Sequence, residues 1–388
     1  MNPMTAPKSA LVPLLAAAIA LVVVHGFGRF IYTPLIPLFV QDGILTLAQA
    51  AQLATWNYVG YLTGAMLALF SYQRGLGKMA LTLALIGNAV ITFGQIFPAQ
   101  YESLALLRLL NGISNGVVFV LAPALVLEWL VANNKAHLSG LMYLGVGVGL
   151  LSSNAIVDAT EIWLTGNQRW FPAALISMPL ALWSAWYLSH LSKGTPAQSR
   201  DDNTPLWDRA STPLFLAYTG AGLGYILPMT FLPAVAHDWN LQLNPSAWLL
   251  VAIASIPSTI IWNSLGTRLG DRNALIINYA VQAVAVAAIL VMPEAALGLW
   301  ICAIFMGGSF LGAVFLTQRL ARTLHPHQGP RLSAALIALY GVAQLVGPIL
   351  AEVGINMGAT LAATFIWGLG ACIWGMVLMF WVPTKRTH

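Results

Sequence analysis

The sequence predicts an all-α integral membrane protein, with twelve transmembrane helices arranged as two pseudo-symmetric six-helix bundles. Three observations predict it: a scarcity of charge, a succession of long apolar runs, and a repeat at one constant offset. Of 388 residues, 59% are hydrophobic and 7% charged, with a mean hydropathy of +0.77. A soluble domain carries about a quarter charged residues. Seventeen basic and twelve acidic side chains are too few to cover such a surface in water. Disorder requires the opposite balance, low hydrophobicity with high charge. Cys302 and Cys372 each sit in an apolar stretch, which argues against a disulfide framework or a thiolate metal site.

Crossing a ~30 Å hydrocarbon core takes roughly 20 apolar residues. In chain order, runs at 10–39, 46–72, 78–97, 103–131, 138–159 and 170–190 form one set of six. Runs at 212–236, 245–267, 273–292, 297–320, 331–353 and 360–381 form the second. All are apolar on every side, whereas the strands of a membrane barrel alternate in polarity. The first run follows Lys8 as a signal peptide would. It continues through His25-Gly26-Phe27-Gly28-Arg29 into further apolar residues without a cleavage site, and reads as the first helix. The polar stretch 192–211, rich in Pro, Ser and charge, reads as a linker. It divides an N-terminal bundle, 1–191, from a C-terminal bundle, 212–388.

The basic residues orient these spans. With the N-terminus inside, the cytoplasmic segments hold fourteen: Lys8, Arg74, Lys78, Lys135, Lys193, Arg200, Arg209, Arg268, Arg272, Arg319, Arg322, Arg331, Lys385 and Arg386. The outer loops hold only Arg169. Under the positive-inside rule this distribution predicts cytoplasmic termini. The remaining two basic residues, Arg29 and Arg108, lie inside spans.

At an offset of 196, Gly26-Phe27-Gly28 falls on Gly222-Leu223-Gly224 and Pro37 on Pro233. Gly112 and Gly116 fall on Gly308 and Gly312, and Gly145-Val146 on Gly341-Val342. Parallel repeats of this kind mark transporters whose halves rock about a site at their interface. Between the eighth and ninth spans, Asn263-Ser264-Leu265-Gly266-Thr267-Arg268-Leu269-Gly270-Asp271-Arg272 resembles the G-x-x-x-D-R-x-G-R-R loop of the major facilitator superfamily. Tyr72-Gln73-Arg74-Gly75-Leu76-Gly77-Lys78 resembles a more degenerate first copy, and both copies lack the usual acidic residue. Leu107-Arg108-Leu109-Leu110-Asn111-Gly112 is similar to that superfamily's fourth-helix R-x-x-x-G pattern. The run Gly26-Phe27-Gly28-Arg29-Phe30-Ile31-Tyr32-Thr33-Pro34-Leu35-Ile36-Pro37 resembles the first-helix signature of its YbfB/YjiJ-like permeases. The resemblance covers essentially the whole chain and implies secondary transport by alternating access in a bacterial inner membrane. It also implies conformational loops at Arg74, Gly77 and Lys78 and at Arg268, Gly270, Asp271 and Arg272.

Intramembrane charge is functional by default and must face the bundle interior or water. Arg29 lies about ten residues from the outer end of its span, or ~15 Å at helical rise, near the midplane. His25, Arg29 and Tyr32 are spaced i, i+4, i+7, which puts all three on one face of an α-helix. Arg108, Asn111 and Asn115 form a similar stripe on the fourth span. The resemblance implies that spans one, four, seven and ten line the cavity, so both stripes are candidates for substrate binding. Asn57 and Tyr58 on the second span, and Tyr340 and Gln344 on the eleventh, are further candidates. Amides and tyrosines also join transmembrane helices, so a packing role stands beside the binding role.

The repeat answers Arg29 with Tyr225 and Arg108 with Ile304. Tyr218, Gly222, Tyr225 and Met229 share one helix face. A cavity cationic on one wall and aromatic or apolar on the other suits an organic anion with an apolar body. No carboxylate falls at mid-membrane, which argues against the alternative of drug efflux. It leaves His25 as the central group titrating near neutral pH and the candidate proton carrier.

Gly112-Ile113-Ser114-Asn115-Gly116 matches the hydrolase elbow G-x-S-x-G, but that motif needs a strand-to-helix turn. Inside an apolar helix it predicts close packing instead. His325-Pro326-His327 has no evident third metal ligand, and no phosphate-binding loop of the form G-x-x-x-x-G-K-[ST] occurs. The second alternative, a membrane sensor or enzyme on the same fold, would need a catalytic constellation that the sequence does not display. The expected partners are therefore a small organic anion, the bilayer and protons. Neither a cofactor nor nucleic acid is expected, and the chain is expected to act as a monomer.

Overall fold

The computed structural model describes residues 9–98, 100–191, 207–325 and 329–384. Among them the chain is helical, without strands. The first span, Leu11–Gln41, is three pieces in line: α1 (Leu11–Leu21), a π-helical stretch (Val22–Phe30) and α2 (Tyr32–Gln41). In the π stretch each hydrogen bond closes one residue later than in an α-helix, as in Ile31 N–H to the Gly26 carbonyl, 2.8 Å. Next come α3 (Leu47–Gln73), α4 (Gly77–Gly94), α5 (Tyr101–Ala132), α6 (Leu144–Thr160) and α7 (Phe171–His190). The C-terminal set is α8 (Thr212–Asp238), α9 (Ala247–Leu269), α10 (Asp271–Val291), α11 (Ala296–Gly307), α12 (Phe310–Leu324), α13 (Gly329–Asn356) and α14 (Ile366–Met379). Together α11 and α12 form one span, interrupted at Gly308-Ser309.

Eleven described helical spans are long and apolar enough to cross a membrane. The twelfth expected span is α3, whose 27 residues would reach about 40 Å at 1.5 Å each. Gln49, Gln52, Asn57 and Tyr58 dilute its apolarity. It tolerates them because it packs centrally, against α5 on one side and α13 on the other. A capping box, Thr46 with Gln49, satisfies its first amides.

Close approach of α3 to α5 explains the false hydrolase motif. A Cβ at Gly112 would overlap the Asn57 carbonyl, and one at Gly60 would overlap the Leu109 carbonyl. The glycines let the two backbones touch, as small residues do between membrane helices.

Two knots hold the loops. The Asp42 carboxylate accepts from Arg169 Nε at 2.9 Å and from the Gly166 amide at 2.7 Å. The Arg169 hydrogen bond, first, and the Gly166 bond hold its carboxyl below the usual carboxylate range. At the other end, Asp208 Oδ1 accepts from the Ala210 and Ser211 amides and starts α8. Most of the expected linker, 192–206, lies outside the described residues, as do Lys8, Lys193, Arg200, Lys385 and Arg386.

The helices of the second six-membered set meet the first along three seams: α2 on α8, α3 on α13, and α6 on α9. Hydrogen bonds across the seams run from mid-depth toward the Asp42 end. Thr33 Oγ1 donates to the Met229 carbonyl at 2.8 Å, and Tyr58 and Thr230 share a hydroxyl contact of 2.8 Å. Gln52 Nε2 donates to Glu352 at 2.6 Å, and Ser246 donates to Asn154 at 3.4 Å. Thr33 and Met229 are 196 residues apart, the repeat offset itself. Repeat-related residues can touch only beside the axis that relates the halves.

Candidate functional site

Arg29 is 3% exposed at the C-terminal end of the π stretch, walled by aromatic rings. Its guanidinium carbon lies 4.6 Å from the ring centre of Tyr58, 4.8 Å from Tyr61 and 5.1 Å from Phe30. Its Nη2 donates to Gln344 Oε1 at 2.8 Å, and Gln344 Nε2 donates to the Tyr225 hydroxyl at 2.7 Å. Tyr340 stacks between Tyr225 and Tyr218, with ring centres 5.3 and 4.6 Å away. Tyr225 lies parallel to Phe310 at 5.8 Å. One set of helices thus supplies the cation and two tyrosines, while the other supplies an aromatic wall and a carboxamide. The structure brings Arg29, Tyr58, Tyr225, Tyr340 and Gln344 together from four spans.

His25 lies one turn before Arg29, stacked on Phe119 at 4.5 Å and edge-on to Tyr61 at 6.4 Å. Its Nδ1 is buried without a hydrogen-bond partner in the structure.

A second cluster gathers the other candidates on the opposite side of the first span. Arg108 Nη1 donates to the Gly28 carbonyl at 3.0 Å, and Asn115 Nδ2 donates to the Val24 carbonyl at 2.6 Å. Both acceptors belong to the π stretch. Arg108 lies 4.4 Å from the ring centre of Tyr32 and 5.8 Å from that of Trp170, and these two rings stack on each other. Asn57 donates to the Arg108 carbonyl at 3.0 Å and to Asn111 Oδ1 at 3.3 Å. Asn111 in turn donates to Thr92, and Asn88 donates to the Asn111 carbonyl and to Ser114.

The single face expected for His25, Arg29 and Tyr32 is split by the π stretch. Its wider turn rotates the helix beyond it, so Arg29 points toward Tyr58 and Tyr61 while Tyr32 lies under Arg108.

Electrostatically, the two arginines stand out. Both are buried, no ion pair among the described residues involves either one, and the Nε of each has no hydrogen-bond partner. A buried cation without a counter-charge is costly by several kcal/mol. A planar guanidinium with free donors matches a carboxylate in geometry as well as charge.

The loops expected to be conformational are tied down by side-chain contacts. Arg319 Nε donates to both oxygens of Asp271 at 2.8 Å, and Arg319 Nη1 donates to Asn263 at 2.8 Å. The acidic partner missing from the usual position of the motif is thus supplied by Asp271. Arg272 Nε donates to the Met379 carbonyl at 3.1 Å, as Lys78 Nζ does to the Ser189 carbonyl at 3.0 Å. Each cation at the start of a third helix caps the end of a sixth. Gly270, at φ +81°, makes the turn into α10 that only glycine adopts readily. Arg74 lies over the Phe70 ring, 4.0 Å from its centre, while Arg268 is in the last turn of α9 and Gly77 opens α4.

Tyr61, Phe30, Phe119, Thr230 and Trp170 are not distinguished by the sequence pattern. Tyr61 carries a signal, three residues beyond Tyr58 on the same helix face; Phe30, Phe119 and Thr230 are apolar or small residues in apolar helices, and Trp170 closes the short turn Gly166–Trp170. No group of three or more metal-ligating side chains occurs among the described residues. His325 lies 4.0 Å from Asp208, and Pro326 and His327 fall outside the described residues.

A family model described as "Uncharacterised MFS-type transporter YbfB" matches residues 21–379. A gallate transporter of Pseudomonas putida is 27% identical over 172 residues. That match spans 44% of this chain and 37% of the relative, well under two thirds of its length. Among solved structures, a mutant of the nucleoside transporter NupG superposes with a TM-score of 0.72 at 13% identity, covering 96% of this chain and 100% of the other. The human organic anion transporter MFSD10 (TETRAN) superposes with a TM-score of 0.68 at 15% identity, with the same coverage. At such identities these two likenesses concern the fold.

Proposed function

The chain belongs to the YbfB-type family of MFS transporters, a multi-pass membrane carrier of small molecules rather than an enzyme, and from that premise we propose that its substrate is an organic anion with an aromatic body. The observation that carries this reading is Arg29: a buried guanidinium, unpaired with any carboxylate among the described residues, inside a wall of Tyr58, Tyr61, Tyr225 and Phe30. The cation selects the anionic group, and the rings offer stacking faces to an aromatic body. The local likeness to a gallate transporter supports the same class. Arg108 stands in the second cluster, and we assign it to bracing the first span.

In this proposal the N-terminal and C-terminal six-helix halves rock about the Arg29 site, with cytoplasmic termini in a bacterial inner membrane. His25 is the proposed proton carrier, because it lies one turn from Arg29 in the same aromatic enclosure.

Proteoliposomes test both parts. Labelled gallate should undergo counterflow in wild-type vesicles and accumulate when the outside is made acid relative to the lumen. The His25→Gln protein should retain counterflow but lose gradient-driven accumulation. Accumulation by His25→Gln would put the proton elsewhere.

A further inference from the structure

Gln344 reaches Arg29 with a carboxamide oxygen from the opposite half, where the Tyr225 hydroxyl also faces the guanidinium, and both Gln344 and Arg29 are almost fully buried. Its carboxamide oxygen meets Arg29 Nη2 at 2.8 Å, while its nitrogen is held by the Tyr225 hydroxyl at 2.7 Å. A carboxamide oxygen is the neutral counterpart of one carboxylate oxygen, an acceptor of the same shape without the charge. The hydrogen bond also crosses between halves that meet from this depth toward the Asp42 end, through Thr33–Met229 and Gln52–Glu352.

Resting on the anion reading above, we infer that Gln344 is a built-in surrogate ligand that lets the empty carrier close. Without Gln344, closing the halves over an empty site would bury Arg29 with only the Tyr225 hydroxyl facing it as an acceptor from the C-terminal half. An unsatisfied buried charge is the arrangement proteins avoid most strongly. Gln344 supplies one acceptor, and Tyr225 fixes the amide so that its oxygen, not its nitrogen, faces the cation. An arriving carboxylate offers two charged acceptors in place of one neutral one and displaces the amide. The neutral surrogate therefore permits empty closure without competing seriously with the substrate. A carrier so equipped can return empty and carry out net transport, whereas one without it would be confined to exchange.

Distance measurement between spin labels tests this on the intact protein without substrate. The native thiols Cys302 and Cys372 are buried, so labels go on Gln41→Cys and His237→Cys, two exposed positions at the Asp42 end. Empty wild-type protein should populate the short distance of the closed seam. Gln344→Leu, similar in volume but without the acceptor, should shift the distribution to longer distances. Gln344→Glu supplies a charged acceptor and should raise the short-distance population above wild type, which keeps the test informative if the leucine variant folds poorly. A Gln344→Leu distribution identical to wild type, or a Gln344→Glu protein no more closed, overturns the inference. Adding gallate to Gln344→Leu should restore the short distance. Its failure to do so, with the shifts of the empty proteins intact, would contradict the gallate-type anion reading and leave the surrogate role standing.

Discussion

Arg29→Met is expected to abolish counterflow of an aromatic carboxylate while leaving the protein close to wild type in thermal stability. Removing a desolvated charge partner costs about 2–5 kcal/mol of binding, which is roughly a 30-fold loss of affinity or greater. The folded state responds differently. Arg29→Met forfeits the ring contacts of Tyr58, Tyr61 and Phe30 and the bond to Gln344, whose amide stays held by the Tyr225 hydroxyl. It also removes a buried cation with no counter-charge among the described residues, whose burial costs several kcal/mol, so the two offset. Arg29→Lys retains charge but loses the planar fork, and should fall between wild type and Arg29→Met in affinity. Counterflow together with thermal unfolding in detergent measures the pair. A large drop in melting temperature for Arg29→Met would make the residue a structural pin.

Arg108→Met is expected to do the reverse, lowering stability first and transport only as a consequence. Its guanidinium holds the Gly28 carbonyl and lies against the stacked rings of Tyr32 and Trp170. A hydrogen bond to a charged group contributes about 1.5–3 kcal/mol, and a desolvated cation–π contact up to about 2 kcal/mol. Unlike the Gln344 amide, the Gly28 carbonyl is fixed backbone that cannot turn to another partner, so the variant should lose roughly 2–5 kcal/mol of stability. Asn115→Leu, which removes the donor to the Val24 carbonyl, should be destabilising in the same direction by less. Thermal unfolding of the two single variants and the double variant reads this out. An Arg108→Met protein of wild-type stability that cannot exchange substrate would return Arg108 to the binding site.

The contrast between these arginines marks how far the sequence can be read. Membrane spans, their number and the burial of Arg29 and Arg108 inside the bundle are legible because so few polar side chains occur in apolar runs, and each needs a reason to be there. The Arg29 neighbours Tyr58, Tyr225 and Gln344, and Tyr340 stacked on Tyr225, are legible on the same grounds. What spacing cannot supply is the direction in which each stripe points. Periodicity groups Arg108, Asn111 and Asn115 on one face, but does not say whether that face meets a cavity or a backbone. The π stretch Val22–Phe30 also breaks the α-helical period, which turns Tyr32 away from Arg29. No residue pattern announces it beyond the two glycines at Gly26 and Gly28. Asp271 reads as part of a motif that lacks its usual acid, because its partner Arg319 lies 48 residues on and only the fold brings them together.

The central claim, that a buried guanidinium selects an anionic group on an aromatic body, is tested most directly by competition between two molecules that differ only at that group. Wild-type proteoliposomes loaded for counterflow of labelled gallate would be challenged with unlabelled gallate and with its neutral amide. The ring and its hydroxyls are the same in both, so stacking on Tyr58, Tyr61 and Tyr225 is held constant. The carboxylate is predicted to inhibit at least about 30-fold more strongly than the amide, the ratio expected for loss of a desolvated charge pair. Equal inhibition by the two, or wild-type vesicles that exchange no gallate, would contradict it.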